Sequence, residues 1–201
     1  MLKFIAAVAV LTAGIPGIAS ALDTSTSAEV IAVASEPTPV TVGPNPNIRF
    51  SSADAPDRDR VDQSLELFRG AGLELPDLDV RFSDDPTDCQ GHDGLFDPST
   101  RPWTISICSD VGYVVTHELA HAWEAANLDD SEREHYMVVR GFETWNGQHV
   151  DRDERAIEEA AFMVQQNLMA SDHVDTTSDR WQDRIFAYEL LTGTTSPVVV
   201  D

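Results

Sequence analysis

Lysine is almost absent from this chain. Lys3 is the only one, and thirteen basic residues face thirty-five acidic ones for a net charge of −22. Such a surface repels phosphate backbones and anionic lipid, which excludes nucleic acid and anionic membranes as partners. The acidic excess is read as solubility or tolerance of salty surroundings, in preference to an acidic recognition patch. Cysteine is limited to Cys89 and Cys108. Their wide separation lacks the paired spacing of a structural zinc site. In an oxidising compartment an isolated pair forms a disulfide, and this one would staple the loop and strand between them by about 3 kcal/mol. Long apolar runs are missing beyond the first residues, so nothing downstream is expected to span a membrane.

What is present begins with "MLKFIAAVAVLTAGIPGIASALDT": a cation at Lys3, an apolar run from Phe4 to Ile18, then Ala19-Ser20-Ala21. This is the pattern of a secretory signal peptide, residues 1–21, removed after Ala21. Gly14, Pro16 and Gly17 interrupt the run, which ranks a retained anchor lower. The mature chain is expected to be secreted or extracytoplasmic, soluble, free of the membrane and monomeric. Residues 22–46, rich in Ser, Thr and Pro, suggest a flexible leader. Residues 47–195 form the expected domain, with 196–201 as a tail, and a hydrophobic content of 42% supports a core.

Within the domain, Val61, Leu65 and Phe68 recur at helical spacing before Gly70 and Gly72, which predicts a first helix. "DLDVRF" and "WTISIC" alternate and predict two half-buried strands, with turns at Gly91, Gly94, Pro98 and Pro102 between them. Ser109 or Asp110 is the expected cap of a helix running to about Asn127. A helix over 131–139, a loop through Gly147, a long helix over 152–169 and a shorter one over 178–191 follow. The order predicts an α+β domain: a small sheet with packed helices.

The stretch "VVTHELAHAWE" carries two of the chain's six histidines. A 3.6-residue turn puts His117 and His121 on one helix face, where both can grip one metal ion. Val115, Leu119, Ala122 and Ala126 form an apolar stripe, so the helix is expected to bury one side and offer ligands on another. Glu118 stands where a carboxylate can take a proton from a metal-activated water, as general base, and pass it to a leaving amine. This His-Glu-x-x-His arrangement is that of the zincin metallopeptidases. The metzincin continuation fails, because Glu124 and Asn127 stand where Gly and His belong.

Gluzincin-type peptidases take a third ligand from a glutamate on a later helix, often within E-x-x-A-D/E. Glu158, with Ala161 three positions on, resembles that context, although Phe162 occupies the place of the following acid. Glu154, expected on the same face, is the rival ligand or an orienting partner for an imidazole; Glu159 faces away by nearly a third of a turn. His149, Tyr136, His135 and Arg140 are the candidate donors to a developing oxyanion. His92 and His173 are expected at the surface.

"THELAHAWEAANL", "RGFETWNG" and "ERAIEEAAFMV" together resemble a group of exported zincin-like proteins of high-GC bacteria. These carry H-E-L-x-H-A-W, then R-G-x-x-x-W, then an E-R-x-x-E-x-A-A helix. The resemblance covers about residues 80–170, including the cysteine pair. It implies a zincin-like, zinc-dependent peptidase fold acting on peptide or protein, and marks Trp123 and Trp145 as motif members, with core packing as their first role. Two other readings stay open: a zincin-fold protein that uses zinc for stability or partner binding, and a metal-free acidic domain.

Overall fold

The alternation at 78–82 and 103–107 builds two central strands, and two further strands join them in the computed structural model. It describes residues 48–51, 54–147, 149–170 and 178–198. The expected signal peptide, the leader, His173 and the end of the tail lie outside those residues. The elements run β1 (Ile48–Ser51), α1 (Ala55–Gly70), β2 (Leu78–Phe82), β3 (Gly94–Asp97), β4 (Trp103–Ile107), α2 (Tyr113–Asn127), α3 (Asp130–Arg140), α4 (Ala156–Leu168) and α5 (Asp179–Thr192). Single 3₁₀ turns cover Pro86–Cys89 and Arg152–Glu154. This is an α+β arrangement, with the sheet in the order β1-β2-β4-β3.

β1 pairs parallel with β2, and β2 parallel with β4, so the β1-α1-β2 connection is a helical crossover. β3 closes the sheet antiparallel to β4, with Gly94 opposite Ile107 and Asp97 opposite Thr104. The sequence reading treats β3 as turn, since four residues between Gly and Pro have no period of their own. Pairing to β4 supplies the order instead, and the Asp93 carbonyl accepts the Cys108 amide at 2.8 Å just beyond it.

The core joins Leu78, Val80, Ile105 and Ile107 of the sheet to Val61 and Phe68 of α1, Val115 and Leu119 of α2, and Val164 of α4. α2 sits at the centre, against α1, β3, β4 and α4, while α5 packs on α4 and α3. It is buried nearly all round: Val114, Val115, Leu119, Ala120, Ala122 and Trp123 are in the core, but so are Thr116, Glu118, His121 and Glu124. The one-sided stripe expected from the sequence therefore understates its burial. Its start also differs from expectation. Gly112, with no side-chain cap, precedes the helix, and Ser109 instead accepts the Val111 amide within the preceding loop.

Cys89 and Cys108 are joined as a disulfide, their Cα atoms 6.2 Å apart. The bridge ties the 3₁₀ turn after β2 to the end of β4 and thereby holds the loop that carries β3. Replacing both cysteines by serine is expected to cost about 3 kcal/mol in denaturant unfolding. An unchanged midpoint would show that the loop is ordered without the bridge. Among the described residues no helix is long and apolar enough to cross a membrane.

Candidate metal centre

α2 and α4 pack side by side, and their facing turns bring three potential ligands together. His117 Nε2 lies 3.4 Å from Glu158 Oε2, and His121 Nε2 lies 3.6 Å from the same oxygen. One donor atom from each of the three falls within 4.8 Å of the others, the only such group among the described residues. Two ligands at about 2.1 Å from a tetrahedral ion sit about 3.4 Å apart, so the two histidine–Glu158 distances match a divalent cation, while the widest separation in the group, within 4.8 Å, closes further when an ion is held. Imidazole nitrogen with carboxylate oxygen is also a donor set that suits zinc.

The position of Glu158 depends on a distant loop. The amides of Ala156 and Ile157 donate to the carbonyls of Thr144 and Trp145, at 3.1 and 3.0 Å, in place of a side-chain cap. The R-G-x-x-x-W segment thus satisfies the first turn of α4. The same bonds start the helix later than its sequence suggests: Arg155 is extended (φ −93°, ψ 133°), and Arg152–Glu154 form a separate turn. Glu154 therefore does not share a helix face with Glu158; it is exposed and outside the ligand group. Of the two rivals, Glu158 is the one brought to the histidines.

Glu118 faces the cluster from within the protein, 2% exposed. Its space is made by β3. A Cβ on Gly94 would stand 2.6 Å from Glu118 Oε1, 2.7 Å from its Cγ and 2.8 Å from Val114 Cγ1. Both neighbours are buried and at these distances one of them must shift, so Gly94→Ala is expected to cost about 1–3 kcal/mol and to misplace Glu118. Unfolding curves and metal content of the variant would check this. Wild-type stability would mean that β3 can shift freely.

Two hollows flank the cluster. One of about 900 Å³ has His117, Glu118 and Glu158 in its wall with Tyr113 and Phe162 as apolar surface. Another of about 430 Å³ reaches His121, Glu124 and Trp145. Gly94, Glu118, Glu158, His92 and Arg152 border both, so the two hollows meet at Glu158, with His117 on one side and His121 on the other. Arg152 Nε lies 2.8 Å from Glu158 Oε1 and its Nη1 3.4 Å from His92 Nδ1. His92 is exposed, as expected, yet it borders the site.

The expected oxyanion donors go elsewhere. Tyr136 is buried and its hydroxyl donates to Glu159; burial, reinforced by that carboxylate, pushes the phenol well above its ordinary range. Arg140 donates to Glu159 at 2.6 Å and to Asp183 at 2.6 Å, tying α3 to α4 and α5. His149 and His135 are exposed and border neither hollow. Arg152 is the cation that does border them, and no spacing in the sequence singles it out. Trp123 is core, whereas Trp145 lines the smaller hollow and packs edge-on against Tyr136. Phe162 carries no acid to the histidines; it lies beneath the Arg184 guanidinium at 5.5 Å.

The electrostatics follow from burying so many charges together. Desolvation pushes the Glu118 carboxyl up, with His121, His117 and Arg152 pulling against it. Desolvation likewise raises Glu124 to about 7. Burial opposes the charge of His121, but the carboxylates of Glu124 and Glu158 outweigh it and hold that imidazole at about 10 without metal. Burial also opposes the charge of Glu158, and the two imidazoles and Arg152 win, keeping it far below the usual carboxylate range. Without metal, His121 therefore favours its protonated form. No family model matches the chain, and no curated protein or solved structure matches it.

Proposed function

We propose that the protein is an exported zinc-dependent metallopeptidase that hydrolyses peptide bonds in peptide or protein substrates. The observation that carries this reading is the convergence of His117 Nε2 and His121 Nε2 on Glu158 Oε2, the carboxylate that borders two adjoining hollows, one walled by each histidine. When bound, zinc lowers the pKa of a water to about 7 and polarises a carbonyl. His117, His121 and Glu158 hold the ion. Glu118, buried beside the cluster and outside the ligand set, takes the proton from water and returns it to the leaving amine. Its raised affinity for protons suits a group that must accept one near neutral pH. Arg152 keeps Glu158 ionised and supplies positive charge at the cleft for a developing oxyanion.

The disulfide favours an oxidising compartment, in keeping with export. A purely structural zinc needs a fourth protein ligand, and among the described residues the group contains three. The test is hydrolysis of an unfolded protein by the zinc-loaded chain. Cleavage that a chelator abolishes and added zinc restores supports the reading; a zinc-loaded protein that cleaves nothing returns it to the non-catalytic alternative.

A further inference from the structure

We propose that Glu124 is the positioning residue of this centre, its carboxylate accepting the Nδ1–H of His121 and so leaving Nε2 free toward Glu158. The inference rests on the metal-site reading above and concerns the side of His121 away from the cation.

Glu124 is 1% exposed, and neither of its carboxylate oxygens has a hydrogen-bond partner. His121 Nδ1 is buried and equally without one. These orphaned groups face each other: Nδ1 and Oε2 are 3.6 Å apart, three residues along one helix. A small side-chain rotation closes that gap to hydrogen-bond length. Arg133 donates to the Glu124 backbone carbonyl, not to its carboxylate. The acid therefore caps nothing and is paired with the His121 ring at 3.6 Å, beyond hydrogen-bond length, and a buried carboxylate held that loosely is costly.

Histidine has two neutral tautomers, and only the one with the proton on Nδ1 leaves the Nε2 lone pair for a metal. Nε2 is the atom that points at Glu158. A fixed acceptor opposite Nδ1 selects that tautomer and stops the ring from turning, which is how groups behind a metal ligand raise its affinity. Glu124 supplies this acceptor from α2 itself, where helix geometry places residue i+3 beside residue i.

The test compares wild type, Glu124→Gln and Glu124→Leu by zinc affinity in chelator competition, by metal-free thermal stability, and by ¹⁵N NMR of the zinc-bound His121 ring. Once the proton that zinc displaces from His121 is allowed for, the leucine variant is expected to lose about 10–100-fold in affinity. Its metal-free stability should change by less than the equivalent free energy, because the substitution removes a desolvated acid along with the partner of the His121 imidazolium. The glutamine variant keeps an acceptor and should recover most of the affinity, with Nδ1 protonated and Nε2 on zinc as in wild type. Unchanged affinity in the leucine variant would overturn the proposal, as would equal losses of affinity and metal-free stability in both variants. If wild type itself takes up no zinc, the metal site falls, and the role of Glu124 with it.

Discussion

Replacing Glu118 with glutamine is expected to leave zinc bound and to slow peptide hydrolysis by about 10²–10⁴-fold. The amide has nearly the shape of the carboxylate but no basic oxygen, so proton transfer is lost while packing against Gly94 and Val114 remains. Zinc stays because Glu118 is not in the ligand group. Stability gives an independent check. Burial raises the Glu118 carboxyl above its ordinary value of 4.5, so above that pH its ionised form opposes folding. The variant should therefore unfold no earlier than wild type at pH 7 when metal-free, and the difference should shrink as the pH falls below the raised value. Hydrolysis at the wild-type rate in zinc-loaded Glu118→Gln would remove this residue from the mechanism.

Zinc affinity is expected to rise about tenfold per pH unit from pH 7 to 9, a change of about 100-fold over that window. The metal must displace the proton that Glu124 and Glu158 hold on His121, whose value stands at about 10 against an ordinary 6.5. Below about 10 the metal-free protein keeps that proton, so each step down in pH strengthens the competitor. Glu158 stays ionised throughout, its carboxyl being held far below this range. The same shift sets a stability trend in the metal-free chain. The His121 contribution is complete below 6.5 and is lost as the pH rises through about 10. Calorimetry in buffers of different ionisation enthalpy should register the His121 proton released on zinc binding at pH 8, in addition to any that the zinc-bound water gives up. An ordinary imidazole would contribute almost no proton at that pH, and a release no larger than that of the water would mean the carboxylates do not grip His121.

The two histidines were legible because their relation is local: helical geometry alone puts residues 117 and 121 on one face. The same holds for β2, whose alternating residues bury one side, whereas β4 is buried at every residue but Ser106, because it lies between β2 and β3. β3 was not legible, because its four residues are ordered by a partner strand and a covalent bridge. The start of α4 misled for a related reason. Carbonyls of residues 144 and 145 take the amides that would have continued the helix, and Glu154 is cut off with the discarded turn. Arg152 reaches Glu158 only because of that break, so no helical offset marks it in advance. Glu124 had a readable signal in its i+3 spacing from His121. What the spacing does not convey is that both groups are buried without other partners, which depends on the packing of α4, β3 and the loop around Trp145.

The most direct measurement of the central claim is X-ray absorption at the zinc edge on protein equilibrated with one equivalent of zinc, paired with metal content of the wild type and Glu158→Ala. The account predicts one tightly held ion with two imidazole nitrogens, one carboxylate oxygen and one solvent oxygen, and a weakened site in the variant. No bound zinc, or an ion closed by a fourth protein ligand and indifferent to Glu158, would contradict it.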